Sequence, residues 1–209
     1  CIKRGISVQE GGAVYNFTGP QGFGIANMAD SLYAVRQLVY RDKKVSMEEY
    51  KEALLWNYGK GIDSETAADM TASILKEMER QGRAIDESAV KSVLETVMTM
   101  KLSEDQKARF EEIHHMIDEV PKFGNDIPEV DYFARDVAYT YTRPLQNYKN
   151  PRGGQFQAGL YPVSANVPLG GQTGATPDGR YAHTPVADGV SPSAGKDVNG
   201  PTAAANSVA

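Results

Sequence analysis

Cysteine is nearly absent from this chain. It occurs once, at Cys1, so no internal disulfide framework can form, and a reducing compartment is the simpler expectation. Histidine is almost as scarce, with three residues. His114 and His115 are adjacent on a predicted helix and diverge by about 100°, so they cannot grip one metal as an i, i+4 pair does. His183 falls in a loop with no sequence-near partner. No Cys/His cluster for zinc exists, and no metal site is expected. Positive charge is in deficit: 22 Lys and Arg stand against 27 Asp and Glu, a net charge of -5. That argues against nucleic acid or an anionic membrane as the main partner, since both require a basic face. No apolar run approaches the ~20 residues of a membrane span.

What is present is an ordinary globular composition. Of 209 residues, 41% are hydrophobic and 23% charged, enough apolar material for a packed core. The opening from Gly5 to Gly24 alternates glycine with apolar residues and reads as short strand and loop. Ile25, Met28, Leu32, Val35 and Val39 then recur at helical spacing to about Tyr40. Ser46 with Glu49 forms a capping box, in which each side chain satisfies the other residue's free N–H, and starts a helix to about Tyr58. Asp63 or Ser64 caps a third helix, stopped by Gly82. Asp86 caps a fourth. Ser103 with Gln106 forms a second capping box and opens a fifth, to about Asp118. Pro128 suits a first helical turn and begins a sixth, to about Thr142. From Asn147 onward glycine and proline become dense and charge thins out. Six helices followed by strand and elaborate loop place the chain in the α/β class.

Several segments invite chemistry. Gly19-Pro-Gln-Gly-Phe-Gly24 precedes a helix, as a phosphate cradle would, but it lacks the Lys-Ser/Thr of a P-loop and fits a structural turn. Cys1 has basic neighbours that favour a thiolate, yet reads more simply as an ordinary small residue. Asp178-Gly179 signals a turn, with Arg180 as a loop staple or a carboxylate anchor. The most informative stretch is Gly159-Leu-Tyr-Pro-Val-Ser-Ala-Asn-Val-Pro-Leu-Gly170. It reads as a buried strand carrying polar groups, which must be satisfied or have a task. In a strand, Tyr161, Val163 and Ala165 share one face, while Leu160, Pro162, Ser164 and Asn166 share the other. Tyr161 is then either a pocket-lining phenol or a core tyrosine bonded to a carbonyl.

Four ordered segments resemble the glycyl radical enzymes of the pyruvate formate-lyase superfamily. They are Gly22-Phe-Gly-Ile-Ala-Asn-Met-Ala-Asp-Ser-Leu32, then Lys122-Phe-Gly-Asn-Asp126 with Val130-Asp131, then Gly159 through Pro168, then Thr176-Pro-Asp-Gly-Arg180. Within that family, Arg152 through Asn166 is most similar to the B12-independent glycerol and 1,2-propanediol dehydratases. The resemblance implies a fold: residues 1–209 would be an internal part of one ten-stranded α/β barrel domain, truncated at both ends. It implies an activity: dehydration of glycerol or propane-1,2-diol to the aldehyde by a thiyl radical. The complete enzyme would carry a glycyl radical, installed by a radical S-adenosylmethionine iron–sulfur activase.

The sequence departs from the family pattern in two places. It has no "RVxGY" segment for the radical glycine. Cys1, followed by Ile2-Lys3-Arg4, does not match the "CVEP"-like thiyl motif with its acid/base glutamate. The chain is therefore expected to hold no catalytic residue, to bind no cofactor itself and to be inactive alone. The resemblance places Tyr161 in the substrate pocket, and strand parity adds Val163 as the next lining residue. Ser164 and Asn166 are expected to make structural hydrogen bonds. The implied partners are a small polyol, the activating enzyme and a second subunit in a homodimer, with no nucleic acid and no membrane. The implied location is the cytoplasm or a bacterial microcompartment. Choline trimethylamine-lyase, hydroxyproline dehydratase and formate acetyltransferase are the alternatives within the family. Outside it stands a non-enzymatic helical binding domain.

Overall fold

The computed structural model describes every residue except Asp63 and Ala84, together with the side chains of Ser64 and Glu65. Eight α-helices occur among the described residues: α1 (Ile25–Val35), α2 (Met47–Leu55), α3 (Ser64–Arg80), α4 (Glu87–Thr99), α5 (Glu104–Glu119), α6 (Pro128–Leu145), α7 (Asn166–Gly171) and α8 (Pro201–Val208). Their starts follow local chemistry. Ser46 Oγ accepts from Glu49 N at 3.1 Å, and Glu49 accepts from Ser46 N at 3.0 Å. Ser103 and Gln106 repeat the exchange at 3.2 and 3.1 Å. Asp86 accepts from Ala89 N at 2.8 Å. Such caps satisfy donors that the first helical turn leaves open. The expected cap at Asp63 lies outside the described residues. Helix α1 runs on as a π-helical turn over Arg36–Arg41, in which Asp42 N reaches Gln37 O at 2.8 Å.

The chain forms two compact units. One comprises Ala34–Val120 and Gly170–Thr184. Its core holds Leu38, Val45, Tyr50, Ala53, Tyr58, Val97, Phe110, Ile113 and Ile117. Helix α2 was expected to continue to Tyr58 but ends at Leu55. Asn57 and Tyr58 take positive φ of 48° and 54°, and this turn delivers Tyr58 to the core at 1% exposure. Tertiary packing here overrides helix propensity.

The other unit comprises Cys1–Tyr33, Pro121–Leu169 and Pro185–Ala209. Its core includes Ile25, Ala26, Ala29, Phe123, Val130 and Ala134. Asp30, buried on α1, accepts from Phe123 N at 2.8 Å and so fixes the loop that enters α6. Asn27 accepts from Ala187 N at 2.7 Å and donates to Ser193 Oγ at 3.2 Å. These bonds tie the last loop of the chain to the start of α1.

The expected strand at Gly159–Gly170 requires correction. Among the described residues, strand pairing is limited to isolated bridges, two of them parallel: Thr18 with Phe156, and Gln21 with Gly159. The register is constant across the pair. Thr18 N donates to Gln155 O, Gln157 N to Thr18 O, Gly159 N to Pro20 O and Gly22 N to Gly159 O. The ladder breaks at Pro20, which has no N–H for the rung that Gln157 O would receive. Gly24 N turns away to Ala187 O, which ends the pairing before Tyr161. Residues 166–171 are helical instead, with Pro168 accommodated in the first turn. The alternating faces assigned to residues 160–166 therefore do not exist, and Tyr161 through Ser164 are all exposed.

Candidate functional site

The short parallel pair sets up one wall of an open hollow of about 540 Å³. Phe17 and Gly19 line it from one segment, Gln157 through Pro162 from the other, and Val190 from the last loop. Val190 N donates to Leu160 O at 2.8 Å, so the last loop clamps the wall on its free side. Tyr161 sits in this lining and is 60% exposed. A phenol there offers a donor, an acceptor and an apolar face to whatever enters. Gly159 lets two side chains approach its α-carbon closely. A methyl group on it would lie 2.9 Å from Tyr161 Cε1 and would collide with Gln21 Oε1.

Val163 is exposed and does not line the hollow. Asn166 makes the structural bond expected of it, donating to Val186 O at 3.0 Å, while Val186 N returns to Asn166 O at 3.3 Å. Ser164 is exposed, and its carbonyl accepts from Val167 N at 3.2 Å. Cys1 is exposed. The residue that sequence reading passed over is Gln21. It was absorbed into a glycine-rich turn.

The Thr176–Arg180 turn, in the other unit, is organised differently. Arg180 donates through Nη1 to Thr184 O at 2.6 Å and Tyr181 O at 3.1 Å. Through Nη2 it reaches the carbonyls of Thr173 and Gly174, and through Nε the Thr176 hydroxyl. Tyr50 and Tyr58 each donate at 2.6 Å, to Pro177 O and Thr176 O. His114 Nε2–H donates to Gly179 O at 2.8 Å, and its ring stacks on Tyr181 at 4.6 Å. Burial pushes the Tyr50 and Tyr58 phenols well above their ordinary value, and the Asp178 carboxylate adds to both shifts. Burial also draws the Arg180 guanidinium downward, opposed by Asp178. Arg180 and His114 are thus staples of a turn. His183 is a loop residue, held by Nδ1 against Gly171 O at 2.7 Å.

Comparison with known proteins agrees with the sequence motifs. Residues 1–170 match the family described as Pyruvate formate lyase-like. A solved structure concerning 1,2-propanediol dehydration in Roseburia inulinivorans is 61% identical, with a TM-score of 0.91 over the whole of this chain and 25% of that one. The glycerol-bound B12-independent glycerol dehydratase from Clostridium butyricum is 42% identical, with a TM-score of 0.65 over the whole of this chain and 20% of that one. A probable dehydratase of Escherichia coli, YbiW, is 35% identical over the whole of this chain and 21% of its own length. The chain thus spans about a fifth to a quarter of the proteins it matches.

Proposed function

The chain belongs to the pyruvate formate lyase-like family, among the glycyl radical enzymes, and on that premise we propose that it supplies one pocket wall of a diol dehydratase. The complete protein would convert propane-1,2-diol or glycerol to an aldehyde and water. In this reading the radical-bearing glycine and cysteine belong to parts of the protein outside this chain. A separate activase would install the radical, and two copies would form a homodimer, in the cytosol or a microcompartment. Both compact units would belong to one ten-stranded barrel domain. This chain would bind and orient; it would not itself carry the radical.

The observation that carries the reading is Tyr161, a phenol held on the rim of an open hollow by a wall clamped on both sides. Tyr161 would contact a substrate hydroxyl or pack on the carbon chain. Val163 is proposed as a second, weaker contact that a longer substrate would reach. The similarity to the Roseburia and Clostridium butyricum proteins favours a small diol.

The test is Tyr161→Phe in the complete, activated enzyme, assayed with glycerol, propane-1,2-diol, choline and trans-4-hydroxy-L-proline. A hydroxyl-mediated contact is worth about 0.5–1.5 kcal/mol, which is roughly a two- to tenfold loss in kcat/KM for the diols. Unchanged kinetics with glycerol and propane-1,2-diol would overturn the hydroxyl contact, and unchanged kinetics in Tyr161→Ala as well would overturn the role of Tyr161. Turnover of choline or hydroxyproline in place of the diols would overturn the substrate class.

A further inference from the structure

The parallel register assigns every second carbonyl, at residues 155, 157, 159 and 161, a donor at residues 18, 20, 22 and 24. Thr18 N serves Gln155 O, and Gly22 N serves Gly159 O. By the same step, Gly24 N would serve Tyr161 O, but it is committed to Ala187 O at 2.8 Å. The donor that reaches Tyr161 O is a side chain: Gln21 Nε2, at 2.5 Å. Because a carbonyl only accepts, the nitrogen of the amide must face Tyr161, which leaves Oε1 on the other side. Oε1 is buried and has no hydrogen-bond partner among the described residues. A buried, unpaired amide oxygen is costly, so the Gln21 conformation is held against that cost. What holds it is the Tyr161 bond and the bare α-carbon of Gly159, whose missing methyl leaves room for both the Gln21 amide and the Tyr161 ring.

Resting on the reading of Tyr161 as a pocket wall, we propose that Gln21 is its positioning residue. Gln21 replaces the rung that the ladder lacks and fixes the Tyr161 backbone where the chain leaves the parallel pair. The ring of Tyr161 then projects into the hollow at a set height. Gln21 itself does not line the hollow, so it acts on substrate only through Tyr161.

A double-mutant cycle in the complete, activated enzyme tests this, with propane-1,2-diol as the probe. Gln21→Met keeps the length of the side chain and removes the donor. It should raise KM about three- to tenfold with kcat changed less than about twofold, the scale of one lost hydrogen bond. In a Tyr161→Ala background the same substitution should change KM less than about twofold. Gln21→Glu, which keeps the shape and is charged at neutral pH, provides a second variant should the methionine fail to fold, with the same expected rise. Gly159→Ala, which crowds both side chains, should reproduce the KM effect. If Tyr161→Ala raises KM and neither Gln21 variant does, the positioning role is wrong and the wall reading stands. An equal Gln21 effect with and without Tyr161 would also overturn it, by showing action by another route. If Tyr161→Ala leaves KM unchanged, the wall reading falls and this inference falls with it.

Discussion

The Thr176–Arg180 turn and the Gln157–Pro162 wall are both loop segments rich in polar groups, but they use those groups in opposite ways. In the turn, two buried tyrosines, a histidine and an arginine converge on backbone carbonyls. Tyr58 there is 1% exposed, while Tyr161 in the wall is 60% exposed. The wall also keeps a buried amide oxygen without a partner. A segment that spends its side chains on its own backbone is shaped for rigidity. One that leaves a phenol open and tolerates an unpaired atom behind it has kept recognition capacity in reserve. Similar residue types therefore point to different tasks, and what separates them is where the hydrogen bonds end.

Substitutions can break that contrast. The largest effect is expected from Arg180→Ala, which strips donors from several carbonyls and should cost about 2–4 kcal/mol in denaturant unfolding. A loss below about 0.5 kcal/mol would show that the turn is not held as described. Tyr58→Phe should cost about 1–2 kcal/mol, by removing one buried bond. The same tyrosines predict a pH dependence. Their folded values lie above the ordinary phenol value of 10.0, so the folded state keeps its protons where the unfolded chain loses them. Their contribution is fully present below about pH 10 and declines as pH rises beyond it. Melting temperature followed from pH 8 to 11 should fall above pH 10, and fall less steeply in Tyr58→Phe. On the wall, Tyr161→Phe should alter kinetics while changing stability by less than about 0.5 kcal/mol, as exposed substitutions do. The smallest effect belongs to Val163→Ala, with kcat/KM for propane-1,2-diol changed less than about twofold. A larger loss there than at Tyr161 would move the substrate contact along the chain.

Helix starts were legible wherever their signal was local. Ser46, Asp86, Ser103 and Pro128 announce caps or first turns within four residues, and each helix begins where they place it. Helix α8 was missed although Gly200-Pro201-Thr202 followed by three alanines carries a similar signal. The Tyr161 stretch was misread for a different reason. Its mostly apolar run with a few polar groups suggested a buried strand, but pairing depends on donors some 140 positions away in the chain. Pro20 removes one donor, and Gly24 is turned toward Ala187. No inspection of residues 159–170 alone could have found this. Tyr161 itself was legible as a candidate, whereas Gln21 was not, because its proposed role arises from a carbonyl on the distant segment whose regular donor, Gly24 N, is committed to Ala187 O.

The separation of 140 residues between Gln21 and Tyr161 also fixes when the wall is built. Helices α2 through α6 close over short loops and nucleate locally, while the parallel pair must bring together two ends of a long chain and pay its closure entropy first. During synthesis, Gln21 waits until more than three quarters of these 209 residues have emerged before its acceptor exists. The parallel pair thus assembles after these helices. Pulse-labelled hydrogen exchange during refolding should show the Gly22 and Gly159 amides gaining protection after those of α5 and α6.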